Sequence, residues 1–140
     1  MHFEVSVDID ATPATVWTLL TDVEHWPEIT ASINRVEILE KPFTLSSRAR
    51  VSQPKLPPAT WTVTTFDENN SFTWESHSPG VTTIGGHHIT TNPDGSVSLQ
   101  LTLDQKGPLA PIISLLTARL TRRYITMEAN GLKTKAETLT

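Results

Sequence analysis

A chain of 140 residues with 37% hydrophobic and 19% charged side chains has the composition of one globular domain. Its net charge of −4 at pH 7 argues against non-specific binding to nucleic acid, which requires a cationic surface. The absence of cysteine excludes disulfides, thiolate nucleophiles and cysteine-based zinc sites, and it agrees with a reducing compartment. No apolar run is long enough for a transmembrane helix, and no leader precedes the first strand pattern. We therefore expect a cytoplasmic protein without stable membrane insertion.

A strand and two short helices are predicted at the start of the chain. Residues 2–10 alternate between apolar and polar side chains, which is the period of a half-buried strand. Thr12 and the proline that follows it suit the N-cap and first position of a helix. A second short helix is expected to begin at Thr21 or Asp22 and to run through Trp26.

The middle of the chain is predicted to consist of short strands separated by turn residues. These strands are expected at 33–39, 48–53, 59–66, 71–77, 81–91 and 96–105. The segment 54–58 contains three prolines and is expected to be a stiff loop. Meandering strands followed by a helix are typical of an α+β domain.

Residues 107–135 are predicted to form one long helix after the break at Gly107 and Pro108. The apolar stripe expected on this helix comprises Leu109, Ile112, Ile113, Leu116, Leu120, Tyr124, Met127 and Gly131. A helix of this kind is marginally stable alone and must bury its stripe against another surface. We therefore expect a curved sheet to grip the helix, with any functional site between the two.

Five short segments carry a resemblance to a known family. They are 11–17, 22–27, 61–63, 72–74 and 107–109, in this order along the chain. Together they resemble the START-like, or helix-grip, superfamily, and more narrowly its polyketide cyclase/dehydrase and lipid-transport branch. The resemblance implies a single domain over 1–140, in which a curved antiparallel sheet wraps around a long C-terminal helix. The superfamily includes lipid carriers, aromatase/cyclases, hormone receptors, chaperone activators and quinone-binding proteins, so the fold does not specify the function.

One residue departs from the family pattern. Members often carry a glycine just before the strand that starts at Arg48, and this chain has Ser46 there. If the backbone at this position requires a positive φ, serine is strained where glycine would not be.

The candidate ligand-binding residues come from the small helices, the central strands and the long helix. The resemblance places the second small helix near the mouth of a cavity, which makes Trp26 a candidate. Tryptophans on central strands suit the wall of a pocket for flat apolar ligands, and the alternative is that they are ordinary core. The full set is Trp26, Trp61, Trp74, Gly85, His87, Ile89, Leu101, Ile113, Leu116, Leu120 and Tyr124.

His87 and His88 are adjacent on a predicted strand, so their side chains point to opposite faces. If Ile89 marks the inner face, His87 points inward. There it could shuttle a proton, donate a hydrogen bond to a ligand carbonyl, or be a buried neutral histidine satisfied by its neighbours. Arg48 and Arg50 share one strand face, where they would hold a ligand carboxylate or enolate if inward and be solvated if outward.

These residues favour binding of a small hydrophobic ligand, lipid-like or polycyclic aromatic, in a cavity between sheet and helix. The alternative is an enzyme of the polyketide cyclase/dehydratase type with His87 as the catalytic acid or base. A second alternative is a protein-interaction module, which would need an exposed apolar patch. The candidate for that patch is a second helix strip of Leu115, Ala118, Ile125, Ala129 and Leu132. We expect no metal, no cofactor, no nucleic-acid partner, and a monomer or weak homodimer.

Overall fold

A curved, seven-stranded antiparallel sheet forms most of the computed structural model, which describes residues 1–139. Its strands are β1 (His2–Ile9), β2 (Arg35–Ile38), β3 (Arg48–Ser52), β4 (Ala59–Asp67), β5 (Ser71–Ser78), β6 (Val81–Thr91) and β7 (Val97–Lys106). β1 lies beside β7, and the other strands follow in reverse chain order to β2 at the opposite edge. Thr140, the last residue of the predicted domain, lies outside the described residues.

Helices cover the concave face of the sheet. They are α1 (Pro13–Thr21), α2 (Trp26–Ile29) and α3 (Ala110–Thr138), with a short 3-10 turn at Val23–His25. α1 begins as predicted, because the Thr15 amide donates to the Thr12 hydroxyl at 3.2 Å. α3 crosses the sheet and contacts β1, β6 and β7 as well as both small helices. The predicted α+β helix-grip fold is therefore confirmed.

Two features of the central strands help the sheet to curve. The register between β4 and β5 shifts between Val63 and Thr65, as at a β-bulge. Gly85 and Gly86 leave the middle of β6 without side chains, which lets neighbouring groups approach the backbone. A Cβ added to Gly85 would lie 3.0 Å from the indole nitrogen of Trp74, so the glycine makes room for that ring.

Aromatic side chains fill the space beneath α1. The Trp17 ring meets Phe66 and Phe72 edge to face, with centroids 5.5 and 6.5 Å apart. Phe43 packs on the same rings, at 6.4 Å from Phe66 and 5.2 Å from Phe72. This part of the interior is closely packed core, and the candidate site lies farther along, beneath α3.

The face of α3 that packs on the sheet differs from the predicted stripe. Leu116 is 77% exposed and Ile112 is 58% exposed, although both were expected to be buried. The buried residues of α3 are Ala110, Ser114, Tyr124, Ile125, Ala129, Leu132 and Ala136. The helix is thus rotated by roughly a third of a turn from the expected orientation.

This difference has a physical reason. The sheet-facing positions in the first half of α3 include Ser114, Thr117 and Thr121, which are small and carry hydroxyl groups. Bulky side chains at Thr117 and Thr121 would occupy the open space beneath the helix. A search for the most apolar helix face therefore selects the wrong side of a helix that borders a cavity.

The structure also places the serine that precedes β3 and the two arginines on that strand. Ser46 has a φ of 71°, the left-handed conformation that favours glycine. Arg48 and Arg50 both point into solvent, and the Arg48 Nε donates to a Glu40 carboxylate oxygen at 2.8 Å. Of the two alternatives stated for these arginines, the solvated one therefore holds, because Ala49 and Val51 occupy the inward-facing positions of the strand.

Candidate ligand-binding site

A cavity of about 450 Å³ lies between the concave face of the sheet and α3. Its walls come from β3 to β7, from α2 and α3, and from the loop 54–58. The volume lies within the range of small-molecule sites, and the lining is mainly apolar. A cavity of this kind excludes most of a small ligand from water.

Three tryptophans build one part of the wall. Trp26 on α2 meets Trp74 on β5 edge to face, with ring centroids 5.6 Å apart. Trp61 on β4 lies 5.5 Å from Trp74, with the two planes tilted by 33°. The Trp26 indole is fixed by a hydrogen bond from its Nε1 to the Leu19 carbonyl at 3.2 Å. These rings give the cavity flat apolar surfaces in fixed positions.

His87 lies inside the protein and lines the cavity, whereas His88 is exposed, which is the arrangement that the strand alternation predicts. The His87 ring stacks on Phe72, with centroids 4.1 Å apart and planes at 12°. Its Nδ1 lies 3.2 Å from the Phe72 carbonyl oxygen. A carbonyl can only accept, so Nδ1 carries the proton and Nε2 is left as a lone-pair acceptor.

The charge state of His87 follows from its burial. Desolvation lowers its pKa to about 3, although the hydrogen bond to Phe72 acts in the opposite direction. The ring is therefore neutral near pH 7 and has one N–H, which the Phe72 carbonyl already occupies. His87 therefore cannot donate a hydrogen bond to a ligand carbonyl, which was one of its predicted roles. Acceptance of a hydrogen bond at Nε2 remains.

Glu128 is a cavity residue that the sequence analysis missed. Its side chain is enclosed by protein atoms and keeps a partly accessible surface that lines the cavity. No hydrogen bond or ion pair engages its carboxyl group within residues 1–139. Desolvation raises its pKa to about 7, so the neutral and ionised forms coexist near neutral pH. Its position between Ile125 and Leu132 on the second apolar strip was the signal that could have revealed it.

Tyr124 has a structural partner. Its hydroxyl donates to the main-chain carbonyl of Pro54 and so ties α3 to the loop 54–58. Leu56 and Pro57 of that loop form part of the cavity wall. The Tyr124 hydroxyl therefore holds one wall of the cavity in place, while the ring itself lines the space.

Most of the predicted ligand-binding residues lie on the cavity wall. These are Trp26, Trp61, Trp74, Gly85, His87, Leu101, Ile113 and Tyr124. Ile89 belongs to the packed core instead, where it is 9% exposed. Leu116 and Leu120 do not line the cavity, because the rotation of α3 turns them away from it. Hydroxyl and amide groups that were not predicted also line it, among them Ser76, Gln105, Thr117 and Thr121.

Within residues 1–139, no cluster of three or more histidine, aspartate or glutamate side chains is placed to hold a metal ion. None of the helices described has the length and apolar character needed to span a membrane.

Comparisons with known proteins agree with this architecture. A family model described as "Polyketide cyclase / dehydrase and lipid transport" matches residues 1–137. A search of curated protein sequences finds no significant match.

Solved structures resemble the chain at low sequence identity. The Zhui aromatase/cyclase from a Streptomyces strain is 21% identical, with a TM-score of 0.80 over 98% of this chain and 93% of that one. A START superfamily protein from Mycobacterium smegmatis is 20% identical, with a TM-score of 0.77 over 99% of each chain. A hypothetical protein from Helicobacter pylori is 13% identical, with a TM-score of 0.80 over 96% and 86%. At these identities the likeness establishes a START-like fold.

Proposed function

The chain belongs to the polyketide cyclase/dehydrase and lipid-transport family, and we propose that it binds a small, mainly apolar molecule with a planar ring system. The observation that carries this proposal is the cavity of about 450 Å³ beneath α3, walled by Trp26, Trp61 and Trp74. Flat aromatic walls favour a flat ligand, because rings stack or meet edge to face at low entropic cost. The lack of cysteine supports a reducing compartment, for which we propose the cytoplasm.

The polar groups of the cavity narrow the ligand class. The Nε2 atom of His87 can accept a hydrogen bond but cannot donate one while the ring is neutral. A phenolic or enolic hydroxyl on the ligand would satisfy it, whereas a ligand carbonyl would face a lone pair. We therefore propose a planar ligand that carries at least one hydroxyl group.

A fluorescence titration tests this proposal. A planar hydroxylated aromatic probe should quench the emission of the tryptophans that line the cavity and should raise the melting temperature by mass action. The methyl ether of the same probe, which lacks the donor, should bind several-fold more weakly. Equal binding of both probes would remove the hydroxyl requirement. Absence of binding by any planar apolar probe would remove the proposed function.

A second candidate function, acid–base catalysis of the cyclase or dehydratase type, is favoured by Glu128. A carboxyl group with a pKa of about 7 suits proton transfer at neutral pH, and the neutral His87 on the same cavity wall has a free lone pair. On a poly-β-keto substrate, ionised Glu128 would take a proton from an activated carbon and return it to the departing hydroxyl, which leaves as water as the carbon–carbon double bond forms, while His87 accepts a hydrogen bond from the substrate.

Deuterium exchange at the activated carbon of a linear β-diketone, followed by NMR in heavy water, tests the enzymatic candidate. Catalysis predicts exchange faster than in buffer and a loss of about 10²–10⁴-fold in the Glu128→Gln variant. Exchange at the buffer rate, together with probe binding, would leave binding as the function of the cavity.

A further inference from the structure

The outer face at the start of α3 exposes an unusual amount of apolar surface. Leu115 and Leu116 are 78% and 77% exposed, and Ile112 and Leu109 are 58% and 44% exposed. We call these four residues the apolar tip. Residues 107–118 contain no charged side chain, although most of this segment faces solvent. Exposed apolar side chains grouped in this way mark interaction surfaces.

Unpaired positive charges border the apolar tip. Lys106 precedes it and Arg119, Arg122 and Arg123 follow it, while no acidic side chain occurs from 105 to 127. None of these four cations forms an ion pair within the described residues. A protein with a net charge of −4 therefore concentrates positive charge beside its exposed leucines.

Helical spacing places the apolar and basic groups on one face. Ile112, Leu116, Arg119 and Arg123 follow each other at intervals of three or four residues, so their side chains lie along one side of α3. The rise from Leu116 to Arg123 is roughly 10 Å along the axis. If the start of α3 points toward a bilayer, this rise places Arg119 and Arg123 nearer the lipid phosphates than Leu116, whose side chain then reaches the boundary of the acyl chains.

The apolar tip also adjoins the cavity. Ile113, next to Ile112 in sequence, lines the cavity from the adjacent helix face. The Leu109 amide donates to the Gly80 carbonyl at 2.9 Å, and Pro79 and Val81 on either side of Gly80 line the cavity. A molecule that leaves the cavity at this end would meet whatever covers the apolar tip.

We propose that the apolar tip and its arginines dock the protein on the surface of a bilayer that contains anionic lipids. The leucines enter the boundary of the acyl chains, and Arg119 and Arg123 pair with lipid phosphates. A second copy of the chain fits less well, because a two-fold contact through this face would bring the unpaired arginines of both copies together. The docking itself stands without a cavity ligand; only a role in ligand exchange with the bilayer rests on the proposed function.

Vesicle flotation tests the docking surface. The protein should float with vesicles of an equimolar mixture of phosphatidylcholine and phosphatidylglycerol, bind pure phosphatidylcholine poorly, and dissociate as salt rises. A variant with Leu115→Ser and Leu116→Ser should lose about tenfold or more in partitioning. In a variant with Arg119→Gln and Arg123→Gln, partitioning onto the mixed vesicles should fall by about 30-fold.

Matched controls use exposed residues elsewhere. Leu39→Ser with Leu45→Ser removes side chains that are 43% and 55% exposed, and Arg50→Gln removes an exposed charge on β3; both variants should float like the wild type. The Trp of a Leu116→Trp variant should shift its emission to the blue on the mixed vesicles, whereas that of Leu45→Trp should not.

Several results would overturn the docking proposal. One is that the wild type does not float with the mixed vesicles. Another is that the wild type floats no better than the double leucine variant and the double arginine variant. Self-association that disappears in the Leu115→Ser and Leu116→Ser variant, without flotation of the wild type, would assign the face to a second copy. Binding of the planar probe in solution should be unchanged in this variant. Failure of flotation with intact probe binding would therefore reject the docking and leave the cavity function in place.

Discussion

The Nδ1 atom of His87 lies 3.2 Å from the main-chain oxygen of Phe72, and this contact decides which nitrogen of the neutral ring carries the proton. The only N–H of the neutral ring donates to the Phe72 carbonyl. The other ring nitrogen, Nε2, therefore has a lone pair that can accept a hydrogen bond from a ligand. The histidine thus acts as a fixed acceptor, held by stacking on Phe72 at a centroid distance of 4.1 Å.

Replacement of His87 should reduce the preference for hydroxylated ligands and leave the affinity for ligands without a hydroxyl group largely unchanged. In a His87→Phe variant, affinity for a planar hydroxylated probe should fall by about 1 kcal/mol, the usual net value of one hydrogen bond. Affinity for the methyl ether of the probe should stay the same or rise. The measurement is a pair of fluorescence titrations, with His88→Ala as the control on the solvent face of β6. Equal losses for both probes in the His87→Phe variant would mean that the ring contributes by packing alone.

Glu128 should make the protein less stable as pH rises. Below its ordinary pKa of 4.5 the group is protonated in both the folded and the unfolded chain. Between pH 4.5 and about 7 the folded chain keeps a proton that the unfolded chain has released, so the free energy of unfolding falls as pH increases. Above pH 7 the destabilisation is complete. The Glu128→Gln variant should then be more stable than the wild type by about 3 kcal/mol.

Urea denaturation at a series of pH values measures this effect as a difference between variant and wild type. The difference is needed because the lowered pKa of His87 makes stability rise with pH over part of the same range, and that contribution is common to both proteins. Glu68→Gln, in the exposed turn after β4, is the matched control for the change from carboxyl to amide outside the cavity. A flat difference for Glu128→Gln would show that its carboxyl group is not desolvated in the folded protein.

The strained serine before β3 offers a stability test that is independent of the cavity. Ser46 is exposed at a φ of 71°, and its amide donates to the Val63 carbonyl at 2.9 Å. Ser46→Gly should relieve about 1 kcal/mol of left-handed strain, less a part for the greater freedom of the unfolded chain. We expect a small rise in the urea midpoint. Thr44→Gly, at a neighbouring exposed position without a positive φ, should lower it; a fall for both variants would contradict the account.

The Tyr124 hydroxyl should control the loop that covers one side of the cavity. Tyr124→Phe removes the hydrogen bond to the Pro54 carbonyl and keeps the ring in the wall. Hydrogen exchange of the Leu56 amide, which donates to the Gln53 carbonyl, should become faster, and global stability should fall by about 1 kcal/mol. Unchanged exchange at Leu56 would mean that the prolines alone hold this loop.

The sequence predicted the fold well because each local signal agreed with the others. The Thr12 cap and the alternation in β1, β6 and β7 depend only on neighbours in the chain, and these elements form where they were expected. Strand parity similarly placed His87 inside and His88 outside. Residues whose orientation is set by the backbone alone are therefore accessible to sequence reasoning.

The rotation of α3 about its axis could not be predicted in this way, because it depends on the cavity beneath the helix, which the sequence pattern does not reveal. Amphipathic analysis assumes that the most apolar face is buried, and it selected Leu116 and Leu120. The structure instead turns Thr117, Thr121 and Glu128 toward the cavity beneath α3, where bulky apolar side chains would fill the open space. Glu128 was overlooked because a glutamate on a long helix normally lies in solvent.

Ligand binding by a variant with a filled cavity tests whether the ligand occupies the space beneath α3. Thr121→Trp places an indole in the space beneath α3, whereas Leu116→Trp adds the same group on the exposed face of the helix. Both variants should unfold cooperatively. The Thr121→Trp variant should lose the thermal stabilisation by the planar probe, and the Leu116→Trp variant should retain it. Equal stabilisation of both variants would place the ligand outside this cavity and contradict the proposed function.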